Sequence, residues 1–226
     1  MDAQLRIGGL DMCSHFHAPE PRQLAIAFGA QPEGDYVTDL WPGYTGAFVR
    51  RHPHADAQDD AVPRYEVSAG TFGLLPFWAK SASLARSTYN ARSETAAEKP
   101  SFRNAWKKGQ RCIIPAQCIF EPDWRTGKAI STRIARADGE LMGIAGLWEW
   151  RRPEDPMKGE GWSFTMLTVN ASGHRLMENF HKPGDEKRMV AILSPAQFDE
   201  WLDAPVNSMM GFLSQYPADR LVATVG

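Results

Sequence analysis

Cysteine is scarce in this chain and long apolar runs are missing. The three cysteines, Cys13, Cys112 and Cys118, are odd in number and show no Cys-x-x-Cys spacing. Neither a disulfide framework nor a structural zinc site is therefore indicated, and at least one thiol must be free. No stretch approaches the roughly 18 to 20 apolar residues needed to cross a bilayer, and the opening MDAQLRIGGLDM lacks the apolar centre of a secretory signal. The expectation is a cytoplasmic protein with no membrane partner. A large charge of one sign is missing as well. A net charge of -2 argues against a generally basic nucleic-acid coat, while leaving room for a local patch that binds phosphate. Repeats and low-complexity segments are absent.

What is present suffices for one large domain, since 226 residues with 43% hydrophobic content can bury a full core. After Cys13, EPRQLAIAFGA places Leu24, Ala27 and Phe28 on one side of a short packing helix that Gly29 would end. From Asp35 to Pro63 the chain is rich in Pro, Gly, His and Asp, and reads as loops around an edge strand at GAFVR. RYEVSAGTFGLLPFWAK offers two short strands ending in an aromatic loop. SETAAEKPSFRNAWKKGQ reads as helix in two pieces, because Pro100 removes a backbone donor.

Beyond that point β-rich segments follow closely: RCIIPAQCIFE, AISTRIARA with Ile130, Thr132 and Ile134 alternating, LMGIAGLWEW, WSFTMLTVN and MVAIL. HRLMENF reads as a short amphipathic helix. SPAQFDEWLD starts a helix with Ser194 as N-cap, Pro195 at the first position, Gln197 to complete a capping box, and Phe198, Trp201 and Leu202 on the inner face. The fold class expected is α+β: one domain, a mainly antiparallel sheet or distorted β-barrel core, and short helices around it.

Four places set reactive groups beside structure-forming sequence: MCSHF at 12 to 16, NARSET at 90 to 95, FEPDW at 120 to 124, and HKPGDEKRM at 181 to 189. Taken singly each has an ordinary reading. Cys13 could be a buried thiol, Asn90 a turn cap, Arg92 and Glu94 a surface pair, and Glu121 a strand-end carboxylate paired with Arg125 or Lys128. In this order and spacing, from Met12 to about Leu202, they resemble the SOS response-associated peptidase (SRAP) family, the abasic-site processing proteins. Two departures stand out: Pro122 replaces a more common aromatic residue, and Arg188-Met189 is followed by Val190 where the family has proline.

The resemblance implies a protein that joins itself covalently to abasic sites in single-stranded DNA during the DNA damage response. An opened abasic deoxyribose presents an aldehyde. An N-terminal cysteine offers it an α-amine to form a Schiff base and a thiol to close a five-membered thiazolidine, which an internal cysteine cannot do. An α-amine of pKa about 7.7 to 8.0 is substantially neutral near pH 7 to 8. Residues 1–12 are accordingly expected to be a leader absent from the active form, either because Met12 is the functional start or because a protease, the protein's own site included, removes them. Residues 13–226 then form the catalytic domain.

Residue by residue, the resemblance assigns catalysis to Cys13, Asn90, Glu121 and His181. The Asn90 amide would bond the sugar or a developing hydroxyl, Glu121 would transfer protons from a buried strand end, and His181 would assist near neutral pH. DNA contact falls to Arg92 and Arg188 at phosphates and to Trp78 in an aromatic loop, where stacking is sequence-tolerant; a core position for Trp78 stays open. Lys107, Lys108 and Arg111 are lesser candidates for backbone contact.

The expected partner is single-stranded DNA with abasic sites, bound by a monomer without metal or cofactor. Hydrolytic peptidase activity and lyase activity are further implications of the family. Two rivals remain. One is a thiol peptidase in which His181 is the base for Cys13, and the other is a single-strand binding module that never crosslinks. A metal site from Cys13, His15 and His17, to which His52 and His54 could contribute, ranks below these because three ligands so close together seldom form a closed tetrahedral site and the charged half of the cluster is missing.

Overall fold

In the computed structural model, which describes residues 13–55, 61–152 and 161–225, the chain enters its first strand two residues after Cys13. The expected leader, residues 1–12, lies outside the described residues. The elements run β1 (His15–His17), α1 (Pro21–Phe28), β2 (Pro32–Glu33), β3 (Asp39–Leu40), β4 (Thr45–Arg51) and β5 (Tyr65–Phe72). After a 3-10 turn at Ala82–Ser87 come β6 (Asn90–Arg92), α2 (Ser93–Ala96), α3 (Arg103–Lys107), β7 (Arg111–Ala116) and β8 (Cys118–Asp123). The remainder comprises β9 (Ile130–Arg136), β10 (Met142–Trp150), β11 (Trp162–Asn170), β12 (Arg188–Val190), β13 (Ile192–Leu193), α4 (Phe198–Asp203) and β14 (Leu221–Val225).

The larger sheet has the order β12-β11-β10-β7-β4-β5-β2, with β13 on β10 and β6 on β11. β5 also pairs in parallel with β11, Ser163 opposite Thr71 and Phe164 opposite Phe72, which closes β11-β10-β7-β4-β5 into a ring. This is the distorted barrel that the strand spacing suggested. Phe164 packs against both Phe48 and Phe72 with ring centroids 5.5 Å apart in each pair, and an aromatic of this size contributes about 1.5 to 3 kcal/mol when fully buried. The barrel wall is tight at Gly146, where a Cβ would fall 2.2 Å from Ile114 Cδ1 and 2.6 Å from the Thr165 carbonyl.

A second sheet, β14-β9-β8-β1-β3, is antiparallel throughout. Phe16 projects from β1 edge-on to Phe72 at 5.1 Å and is wholly buried, so it ties this sheet to the barrel. The seam between β1 and β8 of one sheet and β6 and β12 of the other holds the groups of interest.

Several local expectations are met for the reasons given. Gly29 ends α1 at φ 67, Pro100 separates α2 from α3, and the Ser194 amide donates to Gln197 Oε1 at 2.9 Å. Others are corrected. GAFVR is not an edge strand: β4 lies between β7 and β5, and Ala47, Phe48 and Val49 are buried on all sides. RYEVSAGTF is one strand, since β4 pairs with it along its whole length. HRLMENF yields only a 3-10 turn at Met177–Asn179, with the His174 ring accepting from the Leu176 and Met177 amides as an N-cap would. Ala27 is exposed, leaving Leu24 and Phe28 as the packing face of α1.

Candidate active site

Cys13 sits at the head of β1 and is buried. β1 runs antiparallel to β8, with His15 opposite Phe120 and Phe16 opposite Ile119, and the same register carried onward brings Ser14 level with Glu121. Burial, followed by the nearby Glu121 charge, pushes the Cys13 thiol well above its ordinary value. Its Sγ makes a long contact of 3.8 Å to the His15 carbonyl.

Asn90 reaches the same point from the barrel. Parallel pairing on β11, Asn90 opposite Met166, fixes its backbone. Its Nδ2 donates to the Cys13 carbonyl at 3.0 Å. Its Oδ1 is buried and has no hydrogen-bond partner among the described residues, and Glu121 Oε2 is in the same condition. Two buried acceptors beside one cysteine are costly unless a donor meets them, at about 1 to 3 kcal/mol each.

Glu121 emerges on β8 after the apolar stretch 118–120 and is almost fully enclosed, and burial pushes its carboxyl up to about 8. Its Oε2 lies 3.7 Å from His181 Nδ1. His181 is the one non-glycine residue with positive φ among those described, at 66°. Such a conformation persists only where the surroundings fix it. Here the His181 amide donates to the Pro122 carbonyl at 3.1 Å, Nε2 donates to the Arg188 carbonyl at 2.9 Å, and Lys187 Nζ donates to the carbonyls of Phe180, His181 and Lys182.

Arg188 departs from expectation. Its guanidinium is only 2% exposed, bonding the Thr168 carbonyl and hydroxyl, Glu94 at 2.8 Å and Glu186 at 2.7 Å. Every face is occupied by protein, so the side chain braces the loop carrying His181 and does not present itself to a strand of DNA. Arg92, at 52% exposure, is the outward cation; it pairs with Glu186 at 2.8 Å.

Trp78 is 44% exposed beside an exposed Phe77, which removes the core reading and leaves an aromatic surface next to a pocket lined by Lys80, Ser81 and Leu84. Arg111 is corrected too: it is buried, with Nε and Nη2 donating to the Leu202 carbonyl. Lys107 and Lys108 remain on the surface.

The structure thus brings Cys13, Asn90, Glu121 and His181 into one locus and adds Lys187, Thr168, Glu94 and Glu186 as supports. Glu94, Glu186 and Lys187 lie inside the NARSET and HKPGDEKRM segments, whereas Thr168 carried no local signal, because it acts on Arg188 twenty residues away. Among the described residues, no helix is long and apolar enough to cross a membrane.

The SOS response associated peptidase (SRAP) family model matches residues 12–225, and the chain belongs to that family. It is 35% identical over 161 residues, 67% of this chain, to abasic site processing protein YoqW of Bacillus subtilis, and spans only 65% of that relative's length. It is 26% identical over 185 residues, 72% of this chain and 52% of the relative, to abasic site processing protein HMCES of Gallus gallus. A crystal structure of a Bordetella bronchiseptica protein, 44% identical, superposes with TM-score 0.82 over 95% of this chain and 99% of that one.

Proposed function

We propose that this chain processes abasic sites in DNA, and that it does so by capturing them covalently in single strands once residues 1–12 are gone and Cys13 carries a free α-amine. The relatives' names supply the substrate class. The observation that carries the chemistry is Asn90 holding the Cys13 carbonyl at 3.0 Å while Asn90 Oδ1 and Glu121 Oε2 stay buried and unpartnered. Amine hydrogens at Cys13 are donors of the kind those oxygens lack.

In the proposed sequence the Cys13 nitrogen adds to the aldehyde carbon, and one of its protons moves through the Glu121–His181 pair to the carbonyl oxygen, giving a hydroxyl. That hydroxyl takes a proton from Glu121 and leaves as water while the second nitrogen proton returns to Glu121, giving the neutral Schiff base. The thiol then adds its sulfur to the imine carbon, its proton passing to the imine nitrogen by way of Glu121. One carbon–nitrogen and one carbon–sulfur bond form, and one water is released. A carboxyl of pKa about 8 can both give and take a proton at neutral pH.

The peptidase reading finds less support in the burial of the Cys13 thiol. A thiol nucleophile works as thiolate, whereas burial and the Glu121 charge both oppose ionisation of Cys13.

The test is a denaturing gel on an abasic single-stranded oligonucleotide, with intact mass fixing each N-terminus. A chain beginning at Cys13 should give a stable adduct weighing one water less than its parts, and its Cys13→Ala form only a borohydride-trappable one. Equal crosslinking by a chain that retains residue 1 would overturn the reading.

A further inference from the structure

We propose that His15, His17 and Asp39 form a binding site for a divalent transition-metal ion of the zinc class, leaving the remaining coordination positions open. Extended backbone in β1 sends residues 15 and 17 to one face while Phe16 goes into the core. The β1–β3 register sets Asp39 directly opposite His17. One ligand atom from each of the three residues lies within 4.8 Å of the other two.

The His17–Asp39 separation suits a small tetrahedral ion. Zinc–nitrogen bonds of about 2.0 to 2.1 Å imply ligand–ligand edges of about 3.3 to 3.4 Å. His17 Nε2 and Asp39 Oδ1 are 3.4 Å apart. His15 Nε2 is closer to the same oxygen, at 2.5 Å, so the Asp39 side chain, 66% exposed, would turn outward to admit the ion. His15 itself is held in place, its ring stacked between Trp41 at 4.1 Å and Phe120 at 4.2 Å. A ligand fixed in this way loses little side-chain freedom on binding.

The donor set selects the ion. Two imidazoles and one carboxylate match zinc and its transition-metal neighbours, whereas magnesium and calcium take oxygen sets. With neutral rings the loaded site keeps one positive charge, which favours an exchangeable water or an anion in the open position. Cys13, grouped with these histidines on sequence spacing alone, is replaced by Asp39, a residue that only strand pairing makes adjacent.

The test is titration of the chelator-stripped full chain with cobalt(II), followed by absorption, and then displacement by zinc. Wild type should bind one equivalent with the intense visible bands of low coordination number, and zinc should raise its thermal midpoint. His17→Ala and Asp39→Ala, both surface changes whose folding circular dichroism can verify, should each weaken binding by at least about tenfold. The His52→Ala/His54→Ala double variant and Cys13→Ser should bind as wild type does. Undiminished binding in His17→Ala and Asp39→Ala, loss in Cys13→Ser, or no saturable binding by wild type would overturn the site. The readout is metal binding, so it stands or falls apart from the crosslinking reaction.

Discussion

His181 Nδ1 faces Glu121 Oε2 across 3.7 Å, with the two side chains 6% and 1% exposed. Because His181 Nε2 donates to the Arg188 carbonyl at 2.9 Å, that nitrogen carries a proton, and Nδ1 of the neutral ring is an acceptor turned toward the carboxyl. Burial makes Glu121 the holder of the second proton below a pH of about 8. Transfer to Nδ1 would turn a neutral pair into imidazolium and carboxylate.

Crosslinking by a chain starting at Cys13 should therefore show a narrow pH optimum. The rate rises as the α-amine deprotonates around pH 7.7 to 8.0, taken as its reference value, and falls as Glu121 loses its proton near about 8. Glu121→Gln should be slower by about 10² to 10⁴ and lose the falling limb. Single-turnover rates from pH 6 to 9.5 decide it, and a falling limb that survives in Glu121→Gln would count against the assignment.

The same carboxyl should leave a mark on stability. Folding raises its pKa from 4.5 to about 8, so between those values the folded chain keeps a proton that the unfolded chain has released. Its contribution to stability therefore declines as pH rises through that window, by at most about 1.4 kcal/mol per unit, and levels off above it. Glu121→Gln removes the decline. Denaturant melts of both proteins at pH 5, 7 and 9 should show the variant gaining on wild type with pH, and parallel curves would refute the burial argument.

Asn90→Ala removes the donor to the Cys13 carbonyl. Leaving that buried acceptor unmet should cost about 1 to 3 kcal/mol, and the displaced amine should slow crosslinking by about 10²-fold. Asn90→Asp, which keeps the shape but cannot donate while ionised, should be no better. Adduct formation at the wild-type rate in Asn90→Ala would show that the contact is not used.

Arg188 and Arg92 should part company. Arg188→Ala strips Glu94 and Glu186 of a buried partner and loosens the His181 loop, with a stability loss of about 1.5 to 3 kcal/mol and little change in the salt dependence of binding undamaged single strands. Arg92→Ala, on the surface, should leave the melt unchanged and lower the salt slope by about 0.7. Binding isotherms at several salt concentrations, run beside thermal melts, distinguish the two, and the reverse pattern would move the DNA path.

Local chemistry made much of this protein readable as sequence. Gly29, Pro100 and the Ser194–Gln197 pair set element ends through backbone conformation or hydrogen bonding within a few residues, and alternation in 130–134 marks a strand wherever that strand pairs. Cys13, Asn90, Glu121 and His181 could be named because each lies in a short recognisable segment.

Tertiary structure decided the rest, and in each case through a partner far along the chain. GAFVR looked like an edge because its flanks are loops, yet β7 and β5 take both its sides. Arg188 and Arg111 looked like free cations because sequence cannot show Thr168, Glu94 and Glu186 closing around one guanidinium, or the Leu202 carbonyl receiving the other. Asp39 joins His15 and His17 only through antiparallel register. The raised pKa of Glu121 likewise belongs to the fold, since desolvation depends on what surrounds a carboxyl and not on its neighbours in the chain.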